Sequence, residues 1–147
     1  MIIRLRQLKR VLKDRNSYMD ALKLALPHTG LDENLPGTIQ FVFLPKRNMA
    51  ELNGLHLHHE GATDVITYDL RNDIADLPIL PGENPENRIL AEIYICPEVA
   101  AEYATICQTS QSHELLLYAV HGMLHLAGED DLTELARISM RASQMCQ

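Results

Sequence analysis

A chain of 147 residues with 46% hydrophobic and 22% charged side chains has the make-up of an ordinary globule: too apolar to stay disordered, and long enough for one domain, residues 1–147, with a real core. Its net charge of -7 is uneven: residues 1–50 carry +5 and residues 51–147 carry -12, which argues against broad nucleic-acid binding while six basic residues between Arg4 and Arg15 leave a local phosphate contact open. No apolar run is long enough to span a membrane, the first residues lack the apolar core of a signal peptide, and Cys96, Cys107 and Cys146 form no C-x-x-C pair, so a cytoplasmic protein with no membrane contact, no disulfide framework and three small buried cysteines is expected.

Ile2 to Arg6 alternates apolar and basic residues and reads as a strand, a helix running on through Leu12 being the alternative. Ser17 with Asp20 three residues on resembles a capping box, so a helix is predicted from Ser17, carrying Tyr18, Ala21, Leu22 and Ala25 and ending at Pro27 and Gly30. Thr38 to Leu44 is β-branched and aromatic and predicts a strand closed by Pro45. A short helix over Asn48 to Leu52, with Glu51 in its cap, should follow. Val65 to Leu70 and Ile89 to Cys96 are two further strands, the second apolar enough to be interior. Between them Arg71 to Arg88, rich in Pro, Asn, Asp and Gly, reads as a structureless surface loop. Pro97 at a first helical position, with Glu98 behind it, starts a helix towards Cys107. The principal helix covers Ser112 to Ala127 and stops at Gly128, and a last helix is predicted over Thr133 to Cys146. The order β-α-β-α-β-β-α-α-α predicts an α+β fold, a small mixed sheet with helices packed on it.

At about 100° per residue the principal helix presents a wide apolar arc, from Leu115 to Ala127, and is predicted to be buried. The remaining stripe is Glu114, Tyr118, His121 and His125, the two histidines one turn apart on the same face. Since a turn rises about 5.4 Å and a Zn–N bond spans about 2 Å, such imidazoles can share one ion. Gly128 lets the chain leave the helix in a left-handed turn and bring Asp131 back towards them, the logic of the metzincin pattern H-E-x-x-H-x-x-G-x-x-H with Gly122 for the glutamate and Asp131 for the third histidine. Two other readings stand beside this one. The histidines could be core residues hydrogen-bonded to Tyr118 and Glu114, and Asp131 with Glu134 makes a D-x-x-E capping box for the last helix, a role Asp130 could exchange with it.

His121 to Asp131, HGMLHLAGEDD, resembles the H-G-x-L-H-L-x-G-Y-D-H signature of the YbeY family of rRNA maturation endoribonucleases. Ala62 to Tyr68 (ATDVITY) is similar to the family's P-T-D-V-L-S-F, Leu90 to Cys96 (LAEIYIC) to its L-G-D-I-V-I-C, and Leu52-Asn53 to its L-N. The resemblance implies an α+β fold, zinc bound by the motif's three histidines, cleavage of single-stranded RNA, and a role in small-subunit rRNA processing and ribosome quality control, with precursor rRNA and small-subunit ribosomal proteins as partners. Two positions depart from the pattern. Asp131 stands at the third ligand, keeping an oxygen donor but lowering the ion's Lewis acidity. Leu57 stands where the family usually has an arginine, leaving His56, His58, His59, Lys46 and Arg47 as the nearby candidates for holding phosphate.

The expectation is therefore a zinc-dependent endoribonuclease with one Zn²⁺ on His121, His125 and Asp131, no assigned general base, and Glu129 and Asp130 as supporting carboxylates. Its rivals are a ribosome-assembly binding module with a structural metal, and a metallopeptidase, which the glycine at 122 opposes.

Overall fold

The computed structural model describes residues 1–6, 14–56 and 65–128. Four strands, β1 (Ile2–Arg6), β2 (Thr38–Phe43), β3 (Val65–Asp69) and β4 (Ile89–Ile95), form one sheet in the order β1-β2-β4-β3. β1, β2 and β4 run parallel, while β3 pairs antiparallel with β4 through registers such as Thr67 with Ile93. The expected mixed sheet is present, and β4 is interior as its composition predicts.

Among the described residues five helices accompany the sheet: α1 (Arg15–Ala25), α2 (Lys46–His56), α3 (Arg71–Ile74), α4 (Pro97–Cys107) and α5 (Gln111–Leu126). Side chains alternate across the sheet, so Ile3, Leu5, Ile39, Phe41, Phe43, Ala91, Ile93 and Ile95 face one way and meet α1 and α5 in the main core. Ile66, on the other face, joins Met49 of α2 and Val99 of α4 in a smaller core. A hydrogen bond of 2.8 Å from Tyr18 Oη to Leu115 O ties α1 to α5 inside the main core, and burial pushes the Tyr18 phenol well up from its ordinary value.

Several sequence expectations need correction. α1 begins at Arg15: its cap is Asp14, whose carboxylate accepts from Ser17 N at 2.9 Å and Ser17 Oγ at 2.6 Å, so Ser17 lies inside the helix. α2 begins two residues before the predicted Asn48 and runs beyond Leu52, with Glu51 in its interior. Its first amide, Lys46 N, is capped at 2.8 Å by the Glu98 carboxylate of α4. The stretch from Arg71 to Arg88 holds α3 and a 3₁₀ turn at Pro85–Asn87, so it is not structureless and a helix stands between β3 and β4. Cys96 is free and buried as expected, but Cys107 is half-buried and disulfide-bonded. The helix predicted over 133–146 lies outside the described residues. Among the described residues no helix is long and apolar enough to cross a membrane.

Candidate metal centre

α5 is built as its sequence predicts. Ser110 accepts from His113 N at 3.0 Å to cap its start, and Thr109 Oγ1 donates to the buried Glu114 carboxylate at 2.9 Å. Glu114 and Tyr118 are buried rather than part of an open polar stripe, leaving His121 and His125 as the half-buried members of that face. Their rings are nearly parallel, with centroids 4.9 Å apart and planes 17° from each other. Side by side in this way, the two imidazoles can offer nitrogens to one point, the arrangement that two ligands on successive turns require.

The turn between them lies hard against the sheet. A Cβ at Gly122 would stand 2.7 Å from Ile93 Cγ2 and 3.2 Å from Thr67 Oγ1, so position 122 faces β4 and β3. A glutamate there, as in the metzincin pattern, would be driven into Ile93. The helix ends at Ala127, and Gly128, at φ +81°, turns the chain away with its N–H on His125 O at 3.0 Å.

One group at this end escaped the sequence reading. Arg71 forks onto the Asp69 carboxylate, Nε to Oδ1 at 2.9 Å and Nη2 to Oδ2 at 2.7 Å, and its Nη2 also donates to Leu126 O. The guanidinium holds the Asp69 carboxyl below its ordinary range, against a smaller upward push from burial. A D-x-R spacing at the end of a strand was the available signal, but nothing local pointed to Leu126, 55 positions away.

Of the other predicted site residues, Asp131, Glu129 and Asp130 lie outside the described residues, as do Leu57, His58 and His59. Among the described residues no three His, Cys, Asp or Glu side chains gather closely enough to hold an ion, so a complete shell needs a donor from beyond residue 128 or from residues 57–64. His56 is the last residue of α2. Lys46 Nζ pairs with Glu102 Oε1 at 2.5 Å, an exposed ion pair. Arg47 is exposed at the start of α2 beside Pro45, Asn48 and Glu98, where an open hollow of about 560 Å³ lies.

A family profile described as Endoribonuclease YbeY matches residues 5–146. The chain belongs to the endoribonuclease YbeY family. Relatives of that name include a Staphylococcus aureus protein, 33% identical over 78% of this chain and 72% of its own length, and a Salinispora tropica protein, 37% identical over 73% and 71%. A Protochlamydia amoebophila relative is 38% identical over 56% of this chain, a match that spans only 55% of that relative. The solution structure of a Thermotoga maritima protein shares the fold at a TM-score of 0.52 and 23% identity, over 99% of this chain and 86% of that one. The H-x-x-x-H pair of α5, and Asp131 beyond the described residues, lie within the span that this profile matches.

Proposed function

We propose that this chain is a single-strand endoribonuclease of rRNA maturation and ribosome quality control, dependent on one Zn²⁺ held by His121, His125 and Asp131. Membership of the YbeY family carries the endoribonuclease reading, and the parallel pair of imidazoles on α5 supports the metal reading. The donor set fits: two imidazole nitrogens on one helix, with a carboxylate three residues after a left-handed glycine, would leave a coordination position open. When bound, the ion supplies Lewis acidity to a phosphoryl oxygen and makes nearby water more acidic.

The chain's own residues supply position. The sheet behind Gly122 fixes the face on which His121 and His125 stand, and Arg71 holds a carbonyl of the last turn of α5. Neither group supplies a general base, and Glu129 is the carboxylate beside the motif that is left as a candidate.

Metal content and RNA cleavage should be measured together. His121→Ala is expected to lose both bound zinc and cleavage of a single-stranded RNA, and full zinc occupancy in the folded variant would overturn the ligand assignment. RNA binding without chelator-sensitive cleavage in the parent protein would point instead to a binding module with a structural metal, the reading that Leu57 and Asp131 favour. Precursor rRNA is the substrate this reading names, with small-subunit ribosomal proteins beside it.

A further inference from the structure

The stretch from Arg71 to Arg88 takes no part in the chemistry above apart from Arg71, and its apolar side chains point into water. Leu77, Ile79 and Leu80 are 55%, 56% and 63% exposed, and Pro78 and Pro81 are exposed with them. Single exposed apolar residues are ordinary, but five in succession at one tip make a contiguous patch of the kind that marks a contact site.

The tip is also held in shape. Arg88, on its return limb, donates from Nη1 to Leu77 O at 2.9 Å and from Nη2 to Pro78 O, while its Nε pairs with Glu83 Oε1 at 2.9 Å. Glu83 Oε2 accepts from Leu80 N at 2.9 Å, and Glu83 N returns a bond of 3.0 Å to Leu80 O. A tip fixed before it is covered loses little conformational freedom when a partner covers it.

Charge around the tip selects the partner. Asp73, Asp76 and Glu86 flank it, and both basic residues of the stretch are already committed, Arg71 to Asp69 and Arg88 to Glu83. A phosphate brought here would meet carboxylates, so RNA is the wrong occupant. A chain of net charge -7 also gains little from phosphate at long range, although the proposed substrate is RNA. Proteins that coat RNA are basic because phosphate contacts need Lys and Arg, so RNA already clothed in protein offers basic surfaces.

We infer that Leu77 to Pro81 is a docking tip that seats this chain on a basic protein, in an apolar cleft edged by lysine and arginine. The setting, a ribonucleoprotein substrate, rests on the function proposed above.

Two variants test it: Leu77→Ser/Ile79→Ser/Leu80→Ser, which removes the apolar tip, and Asp73→Lys/Asp76→Lys, which reverses its rim. The probes are purified small ribosomal subunits carrying unprocessed rRNA, and protein-free rRNA extracted from the same subunits. Each variant should bind subunits about tenfold more weakly than the parent, the scale on which an anchor residue acts, with binding to protein-free rRNA unchanged. Undiminished subunit binding by the variants overturns the inference, as does a parent chain that does not bind subunits at all. An equal loss on protein-free rRNA would make the tip an RNA contact, and a parent dimer that the triple variant converts to monomer would make it a contact between copies. Either result also overturns it. Cleavage of a naked oligonucleotide, followed in the same samples, reports on the proposed activity alone, so the two readings fail separately.

Discussion

A methyl group added at Gly122 would stand 2.7 Å from Ile93 Cγ2 and 3.0 Å from its Cδ1, closer than packed carbons approach. Ile93 is fully buried and β-branched, so it has little room to yield. Overpacking of this kind costs about 1–3 kcal/mol, and replacing a helical glycine by alanine returns up to about 1 kcal/mol of propensity. Gly122→Ala is therefore expected to destabilise the fold by about 1–2 kcal/mol, lowering the melting temperature by several degrees in a chain of this size. Calorimetry of the variant tests this, and an unchanged or raised melting temperature would show that α5 does not sit so tightly on β4. The same contact explains the glycine beside the first histidine: this position faces the sheet, and a base for catalysis has to come from elsewhere.

At the scale of elements, the end of α5 is held from outside. Leu126 O is among the last carbonyls of the helix, which have no partner within it, and Arg71 supplies a charged donor there while gripping Asp69 at the end of β3. Arg71→Met should free the exit turn. The expected result is faster hydrogen exchange at the Gly128 amide and, for the zinc proposed above, about tenfold weaker binding, the scale on which groups supporting a metal ligand act. Arg71→Lys should restore part of both. Unchanged exchange at Gly128 would remove the clamp from the account, whatever happens to zinc. The acid limb gives a second check. The Asp69 carboxyl is held below its ordinary range chiefly by its hydrogen bonds from Arg71, so its contribution is fully present above the usual carboxylate pKa and is lost as pH falls through the lowered folded value. Gly128 protection in the parent protein should fall in that acid window, and in Arg71→Met the window should disappear.

Elements whose cues are local could be read from the sequence, and those set by distant partners could not. α4 was legible because Pro97 starts it, and α5 because its own periodicity and Gly128 define it. Local cues place α2 two residues late because its cap is Glu98, 52 positions away. The Ser17 and Asp20 spacing points to a later start for α1 than the one the fold takes, which is capped by Asp14. The tip at 77–81 looked structureless because its order comes from Arg88, ten or more positions along the chain. In the site, the histidine pair followed from helical spacing, whereas the clamp of Arg71 on Leu126 joins residues 55 apart and left no local trace.

For the whole molecule, the proposed ion should be part of the fold's stability. Its ligands come together only when α5 is formed and the chain has turned at Gly128, so the native state binds metal far better than the unfolded chain does. Such binding adds RT ln(1 + [L]/Kd), about 2.7 kcal/mol at a hundredfold excess over Kd. At about 2–4 °C per kcal/mol for a chain of this length, removing zinc with a chelator should lower the melting temperature by about 5–11 °C. Returning zinc should restore it. Because residues 51–147 carry a charge of -12, any dication could stabilise the chain by relieving repulsion, so the decisive control is magnesium in place of zinc. Magnesium needs an octahedral shell of oxygens and should not restore the loss. His121→Ala should melt at the same temperature with or without chelator. A parent protein that gives up its zinc with no change in melting temperature would separate the ion from the fold, and equal rescue by magnesium would reduce it to a screening charge.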